Sequence, residues 1–149
     1  GFALELGKGV SPLCMLLART NVSCQACLAM QQRVEQEARI KPKTLKCFAG
    51  LCETAVPVRV GENIVAWLET GHILIDHPTK SKFNHLAKTL LRWGTHIDLK
   101  QVEEAYFNTR VIAPSQYEAA VRLLQIFAGI SRNSDNKSLC RTKKMSLLP

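Results

Sequence analysis

The sequence predicts an α+β fold in which helices come first, strands follow, and helices return. Three observations support this prediction. Apolar residues recur at helical spacing before about residue 40 and again after residue 78, whereas the valines of 56–60 alternate as in a half-buried strand. Turn residues separate these patterns. With 149 residues, 46% hydrophobic and 21% charged, the chain has the size and composition of one globular domain, which excludes wholesale disorder.

Two helices are predicted in the first part of the chain. Ser11-Pro12 is typical of an N-cap followed by proline at the first helical position, and a short apolar helix over 13–18 should follow. Capping residues at 20–23 indicate the start of a second helix, which is expected over 24–39 and is ended by Lys41-Pro42. Its apolar side is Cys24, Cys27, Leu28, Val34 and Ala38.

The middle of the chain is predicted to form an antiparallel sheet over about 45–75. A short apolar segment covers 45–48, and the strand 56–60 contains Pro57, which removes one ladder donor and therefore favours an edge position or a bulge. A turn at 61–63 leads to strands over 64–70 and 72–75. Gly71 lies between them as a bulge or a point of close backbone approach.

Three helices are predicted after residue 78. Thr79 should cap the first, whose apolar face ends near Gly94, and Asp98 with Gln101 forms an Asp variant of the capping box for the second. The last should run over 114–129, with Gly129 ending it. We expect the helices near 79–93 and 114–129 to pack on the sheet.

The predicted domain covers residues 1–131, and 132–149 is predicted to be a basic flexible tail or the start of a linker. This segment holds five basic residues and one acidic residue, half of the net charge of +8. A basic chain could bind nucleic acid, but the strands offer almost only Trp67 and Arg59 as stacking or phosphate-binding residues. No apolar run is long enough to cross a membrane, and no nucleophile–base motif indicates a hydrolase.

The cysteines leave three interpretations open. Cys24 and Cys27 lie one helical turn apart, and Cys47 and Cys52 flank a short apolar segment, so the spacing approaches a two-knuckle zinc pattern with a second knuckle that is too wide. Four thiolates could hold zinc or an iron–sulfur cluster. The alternatives are a redox-active pair, or free cysteines that serve as small apolar core residues.

An ordered set of segments then carries a family resemblance. Five segments occur in this order along the chain: Ser11-Pro12-Leu13-Cys14, Cys24-Gln25-Ala26-Cys27, 47–51 (Cys-Phe-Ala-Gly-Leu), 56–58 (Val-Pro-Val) and 68–71 (Leu-Glu-Thr-Gly). Over about residues 10–130 the chain resembles the PocR-type sensory domain found in front of helix-turn-helix modules in AraC-type bacterial transcription regulators. The resemblance implies a PAS-like fold, an antiparallel sheet with flanking helices around a small-molecule pocket, and sensing of simple organic ligands in the cytoplasm.

The resemblance also implies site residues and partners. We expect a non-catalytic domain that binds a small-molecule ligand, contacts DNA only through a module outside this chain, and meets no membrane, with homodimerisation left open. The family's cysteines map onto Cys14, one or both of Cys24 and Cys27, and Cys47, so the resemblance favours the set Cys14, Cys24, Cys27 and Cys47 as possible metal ligands. Cys52, which stands where the family more usually has a polar or acidic residue, is the substitute that the spacing suggests. The candidate cofactors are zinc or an iron–sulfur cluster. The ligand-binding residues expected on the sheet are Ala49, Gly50, Glu53, Trp67, Glu69, Gly71 and His72. His72 stands where such domains often have glutamine. The alternative function is a cysteine-based redox or metal sensor on the same fold.

Overall fold

The computed structural model describes the backbone of residues 2–5 and 11–145 and the side chains of residues 11–129. Within these residues, helices flank a sheet of four strands. The elements are β1 (Phe2–Glu5), α1 (Pro12–Leu17), α2 (Asn21–Glu37), β2 (Lys43–Lys46), β3 (Cys52–Val60), β4 (Asn63–Ile73), α3 (Lys80–Arg92), α4 (Leu99–Phe107) and α5 (Pro114–Met145). The α+β prediction is confirmed, and the arrangement is consistent with a PAS-like fold.

The sheet has the strand order β1-β4-β3-β2. β2, β3 and β4 pair antiparallel, as predicted for about 45–75. β1 was not predicted, and it pairs parallel to β4 along Ala66–Glu69, so the complete sheet is mixed. The two strands expected on either side of Gly71 form a single strand, β4.

Pro57 and Gly71 occupy the positions that their chemistry predicts. β3 is an interior strand, so the prediction that the strand itself lies at a sheet edge is wrong. The pairing of β2 with β3 stops at Ala55, however, so Pro57 lies beyond it and is paired to β4 alone among the described strands. The missing donor of Pro57 therefore interrupts no ladder between β2 and β3. A Cβ on Gly71 would lie 2.4 Å from the carbonyl oxygen of Cys52, which confirms the close backbone approach.

Three of the predicted N-caps make the expected side-chain hydrogen bonds, because capping depends on chemistry within one turn, whereas Ser11 lies at the N-cap of α1 but its side chain makes no capping bond. The side chain of Thr20 accepts from the backbone N–H of Ser23, and Thr79 caps α3 in the same way. Asp98 accepts from two backbone N–H groups at the start of α4. One predicted inward residue of α2 is wrong: the side chain of Leu28 is 53% exposed.

The end of the last helix differs from the prediction. α5 does not stop at Gly129 but continues to Met145, into the predicted tail. A glycine inside a helix costs only about 1 kcal/mol, and no proline follows before residue 149 to force an end. The helix therefore continues through Gly129, where its end was predicted. Residues 146–149 of the predicted tail lie outside the described residues.

The two faces of the sheet are covered by different helices. α5 packs on one face through Leu124 and Ala128 against Val56 and Val58 of β3. α2, rather than α3, covers the other face, where its end packs around Ala55. The expectation that α3 packs on the sheet is wrong, because α3 joins α1, α4 and the segments just outside the strands in the main core. That core consists of Leu13, Leu17, Ala49, Leu51, Leu74, Phe83, Leu86, Leu90, Val102 and Tyr106.

Candidate ligand-binding site

A cavity of about 720 Å³ lies at the end of β4 that extends beyond β1. Its walls come from the start of α1, Glu53 of β3, residues 69–73 of β4, one side of α4 with the loop after it, and the first turns of α5. This volume falls in the range of pockets that hold small organic molecules. The cavity thus joins the sheet to the helix α5 that continues to Met145.

Four of the predicted ligand-binding residues line this cavity: Glu53, Glu69, Gly71 and His72. The other three lie elsewhere. Ala49 is buried in the main core, Gly50 occupies a turn with a φ of 81°, and Trp67 packs against the end of α2. The structure therefore brings Glu53 of β3 together with three predicted residues of β4. Trp67 and the turn at 49–50 lie away from this group.

Glu69 has the least favourable polar environment in the cavity wall. Its side chain lies on the face of the sheet covered by α2, where Nε2 of Gln31 donates to its Oε2 at 3.3 Å. The residue is only 5% exposed, and its Oε1 has no hydrogen-bond partner among the described residues. Burial, reinforced by the nearby carboxylates of Glu53 and Glu35, raises the pKa of Glu69 from 4.5 to about 7. Glu69 is therefore partly protonated at neutral pH.

His72 adds backbone strain beside the cavity. It has a φ of 58°, in the left-handed region that non-glycine residues rarely occupy. Gly71, the residue before His72, lies close to the backbone of β3, and this contact restricts the backbone at that point. Conformations of this kind cluster at ligand clamps and switch regions because the surrounding packing must support them.

A chain of hydroxyl groups connects the sheet to α5 at the wall of the cavity. The hydroxyl of Tyr117 donates to the carbonyl of Thr70 at 3.2 Å. Because Tyr117 has a single hydroxyl proton, Thr54 donates to Tyr117 and Thr44 donates to Thr54, each over 2.7 Å. Burial raises the pKa of Tyr117 to about 12, so the phenol stays neutral.

The sequence analysis missed the helical side of the cavity. Gln101 and Glu104 of α4 line it, together with Asn108 at the C-cap of that helix, and Gln116 and Tyr117 line it from α5. The α4 residues are spaced as one polar stripe, opposite the buried Val102 and Tyr106, and this spacing was available in the sequence. Tyr117 is also absent from the predicted site, although a buried tyrosine hydroxyl usually requires a hydrogen-bond partner.

The four predicted metal-binding cysteines, Cys14, Cys24, Cys27 and Cys47, are linked by electrostatic interactions. Burial raises the pKa of Cys14 to about 12 and that of Cys27 to about 11, and in each case the neighbouring thiol of Cys47 adds to the effect. Cys24 also acts on Cys27. Cys52 packs with Ile73 and Tyr117 on the side of the sheet covered by α5, and burial, with smaller contributions from Asp76 and Cys47, raises its pKa.

The described cysteines are free thiols. Their raised pKa values keep the thiols of Cys14 and Cys27 protonated at neutral pH. In the part of the chain that the structure describes, no three His, Cys, Asp or Glu side chains are arranged to hold a metal ion. The metal set drawn from the sequence stays a prediction.

Comparison with known protein families gives a match. A sequence model of the family described as "Sensory domain found in PocR" matches residues 3–134. Searches of curated proteins and of solved structures give no match. Among the described helices, none combines the length and the apolar character needed to cross a membrane.

Proposed function

The chain belongs to the PocR sensory-domain family, and from this premise we propose that it senses a simple organic ligand for a bacterial transcription regulator of the AraC type. The family assignment implies ligand binding and indicates a non-catalytic role. The observation that carries the proposal is the cavity of about 720 Å³, whose walls include both the sheet and α5.

Signalling would pass through α5. Gln116, Tyr117 and Ala120 line the cavity from its first turns, and the same helix continues to Met145. Tyr117 is hydrogen-bonded to Thr54 and Thr70, so a ligand that moves the end of β4 also changes the contacts of α5. The cavity and the helix are thus coupled by a short chain of polar contacts.

The mechanism we propose is a shift between two conformers that differ in the position of α5 on the sheet. A ligand shifts such an equilibrium only by its differential affinity for the two conformers. A complete switch, from about 1% to about 99% of one conformer, requires about 10⁴-fold tighter binding to it. Contacts to both β4 and α5 would supply this difference if they form together in one conformer only.

A pair of variants at neighbouring positions tests the site. Ala120 lines the cavity and Ala119, also exposed on α5, does not. The wild-type chain, Ala120→Trp and Ala119→Trp are screened by thermal shift against short-chain alcohols, aldehydes, carboxylates and amines at millimolar concentration. We expect one chemical class to stabilise the wild type and Ala119→Trp but not Ala120→Trp. Equal stabilisation of all three proteins would place binding outside this cavity.

The alternative function is a cysteine-based redox or metal sensor on the same fold. It is favoured by the mutual interaction of Cys14, Cys27 and Cys47. Mass spectrometry of the native chain after mild peroxide, and separately after zinc addition, distinguishes it from organic-ligand sensing. A disulfide within this set, or a zinc adduct lost in Cys47→Ser, would support the alternative, and unmodified thiols would count against it.

The cellular setting forms part of the proposal. We place the domain in the bacterial cytoplasm, with DNA contacted through a helix-turn-helix module and homodimerisation left open. A reporter assay with the complete regulator, in the presence and absence of the stabilising compound, tests this setting. We expect the compound to change promoter activity with the wild-type regulator and not with Ala120→Trp. The same response to the compound in both proteins would contradict a role for the cavity in transcription.

A further inference from the structure

The cavity is acidic although the chain is basic. Three glutamates, Glu53, Glu69 and Glu104, line it, and Arg110 is the only Lys or Arg among the described lining residues. The whole chain has a net charge of +8, so this local excess of acid runs against the overall composition. The wall of the cavity is therefore suited to a ligand that carries positive charge or donates hydrogen bonds.

Glu69 distinguishes between these two kinds of ligand. It takes part in none of the ion pairs of the described residues, and the hydrogen bond that it accepts from Gln31 is to Oε2. The carboxylates of Glu53 and Glu35 carry the same charge as ionised Glu69, and a hydrogen bond with Glu35 also favours the protonated form of Glu69. A neutral ligand could donate to Glu69 but would leave this repulsion in place, whereas a cation would relieve it.

Resting on the ligand-sensing function, we propose that the cavity binds a small organic cation, a primary or quaternary amine, with Glu69 as its counter-ion. The carboxylate of Glu69 is only 5% exposed, and an ion pair with a buried carboxylate is stronger than one at the surface. Glu53 adds negative potential on the same side. Binding of the cation would release the proton that Glu69 holds in the empty cavity near neutral pH.

Matched pairs of probes test the charge requirement. Choline is compared with its neutral isostere 3,3-dimethylbutan-1-ol, and 1,4-diaminobutane with 1,4-butanediol, by calorimetric titration at pH 8. We expect an amine to bind and its neutral isostere to bind at least tenfold more weakly. Glu69→Gln should lose at least tenfold in amine affinity, and the surface control Glu62→Gln should bind like wild type.

The pH dependence of amine affinity tests whether Glu69 is the group that the amine pairs with. A group with a pKa of about 7 is mostly ionised at pH 8 and mostly protonated at pH 6, so amine affinity should fall about tenfold between these values. Gln31 and Glu35 from α2 and Glu53 from β3 face Glu69, and His72, Glu104 and Arg110 line the same cavity. The fall should survive His72→Gln and disappear in Glu69→Gln.

Each other outcome overturns the cation proposal. Equal binding of an amine and its neutral isostere, or full affinity in Glu69→Gln, would leave the ligand-sensing function standing without a charge requirement. Stabilisation by Mg²⁺ or Ca²⁺ that depends on Glu69 would replace the amine with a metal cation. If no probe binds while neutral compounds in the wider screen distinguish Ala120→Trp from Ala119→Trp, the cavity senses a neutral ligand.

Discussion

Replacing Glu69 with glutamine should stabilise the ligand-free domain, and the gain should depend on pH. Burial and neighbouring carboxylates raise the pKa of Glu69 from 4.5 to about 7. Below about pH 4.5 the group is protonated in both folded and unfolded chains, so it has no differential effect. As the pH rises from 4.5 to 7, the unfolded chain ionises this carboxyl while the folded chain still holds its proton, so stability is lost, and the loss is complete above pH 7.

The size of this effect follows from the pKa difference. At about 1.4 kcal/mol per pKa unit, a rise from 4.5 to about 7 corresponds to about 3 kcal/mol at pH 8 and above. A glutamine at this position would keep an oxygen that can accept from Gln31 and would add a donor beside Glu35 and Glu53. In a domain of this length, about 3 kcal/mol corresponds to a rise in Tm of roughly 6–12 °C at pH 8, and at pH 5 the rise should be small.

The assay is thermal unfolding of wild type, Glu69→Gln and the control Glu62→Gln at pH 5, 7 and 8. Each variant is compared with wild type at the same pH, so that other titrating groups cancel. Glu62 lies in an exposed turn, and its variant should follow wild type throughout. A Tm difference for Glu69→Gln that is the same at pH 5 and pH 8, or a loss of stability at pH 8, would refute this account of Glu69.

The remaining predictions concern the scaffold and one of its thiols. Gly71→Ala should cost at least about 2 kcal/mol, because its Cβ would lie 2.4 Å from the backbone of β3, and wild-type stability in urea would contradict this. Gly129→Ala should add about 0.5–1 kcal/mol if α5 is continuous, whereas a loss would indicate a left-handed helix end. Tyr117→Phe should cost about 1–3 kcal/mol, because it removes the donor to Thr70, and an unchanged urea midpoint would argue against that bond. The thiol of Cys14, with its pKa near 12, should react with iodoacetamide at pH 7.5 at least about 100-fold more slowly than in the denatured chain, and equal rates would show that the thiol is not protected.

Local chemistry was the most predictable part of the fold. The caps at Thr20, Thr79 and Asp98 depend on residues within one turn, and all three are present. The antiparallel strands followed from alternating apolar residues and turn signals. Pro57 and Gly71 also had the expected roles, because each imposes a constraint on the backbone that few environments satisfy.

Non-local pairing was not predictable from local pattern. β1 is four residues long and pairs in parallel with β4, about 60 positions away in sequence, so no turn signal connects them. Gly129 resembled a helix end, but a glycine signals an end only when the chain adopts a left-handed conformation there, and α5 continues.

The part of the candidate site on the sheet could be predicted, whereas the part formed by helices depends on non-local packing and could not. The sheet residues Glu53, Glu69, Gly71 and His72 could be proposed together because they belong to neighbouring strands. The wall formed by α4 and α5 depends on how those helices pack against the end of β4. Periodicity within a single helix gives its faces but not the element that each face will meet.

Hydrogen–deuterium exchange with the compound that most stabilises the wild-type chain tests ligand sensing through α5 most directly. The account predicts slower exchange at 69–73 of β4 and at 114–120 of α5, together, with no such change in Ala120→Trp. Protection restricted to the neighbourhood of Cys14, Cys27 and Cys47, with β4 and α5 unchanged, would contradict it.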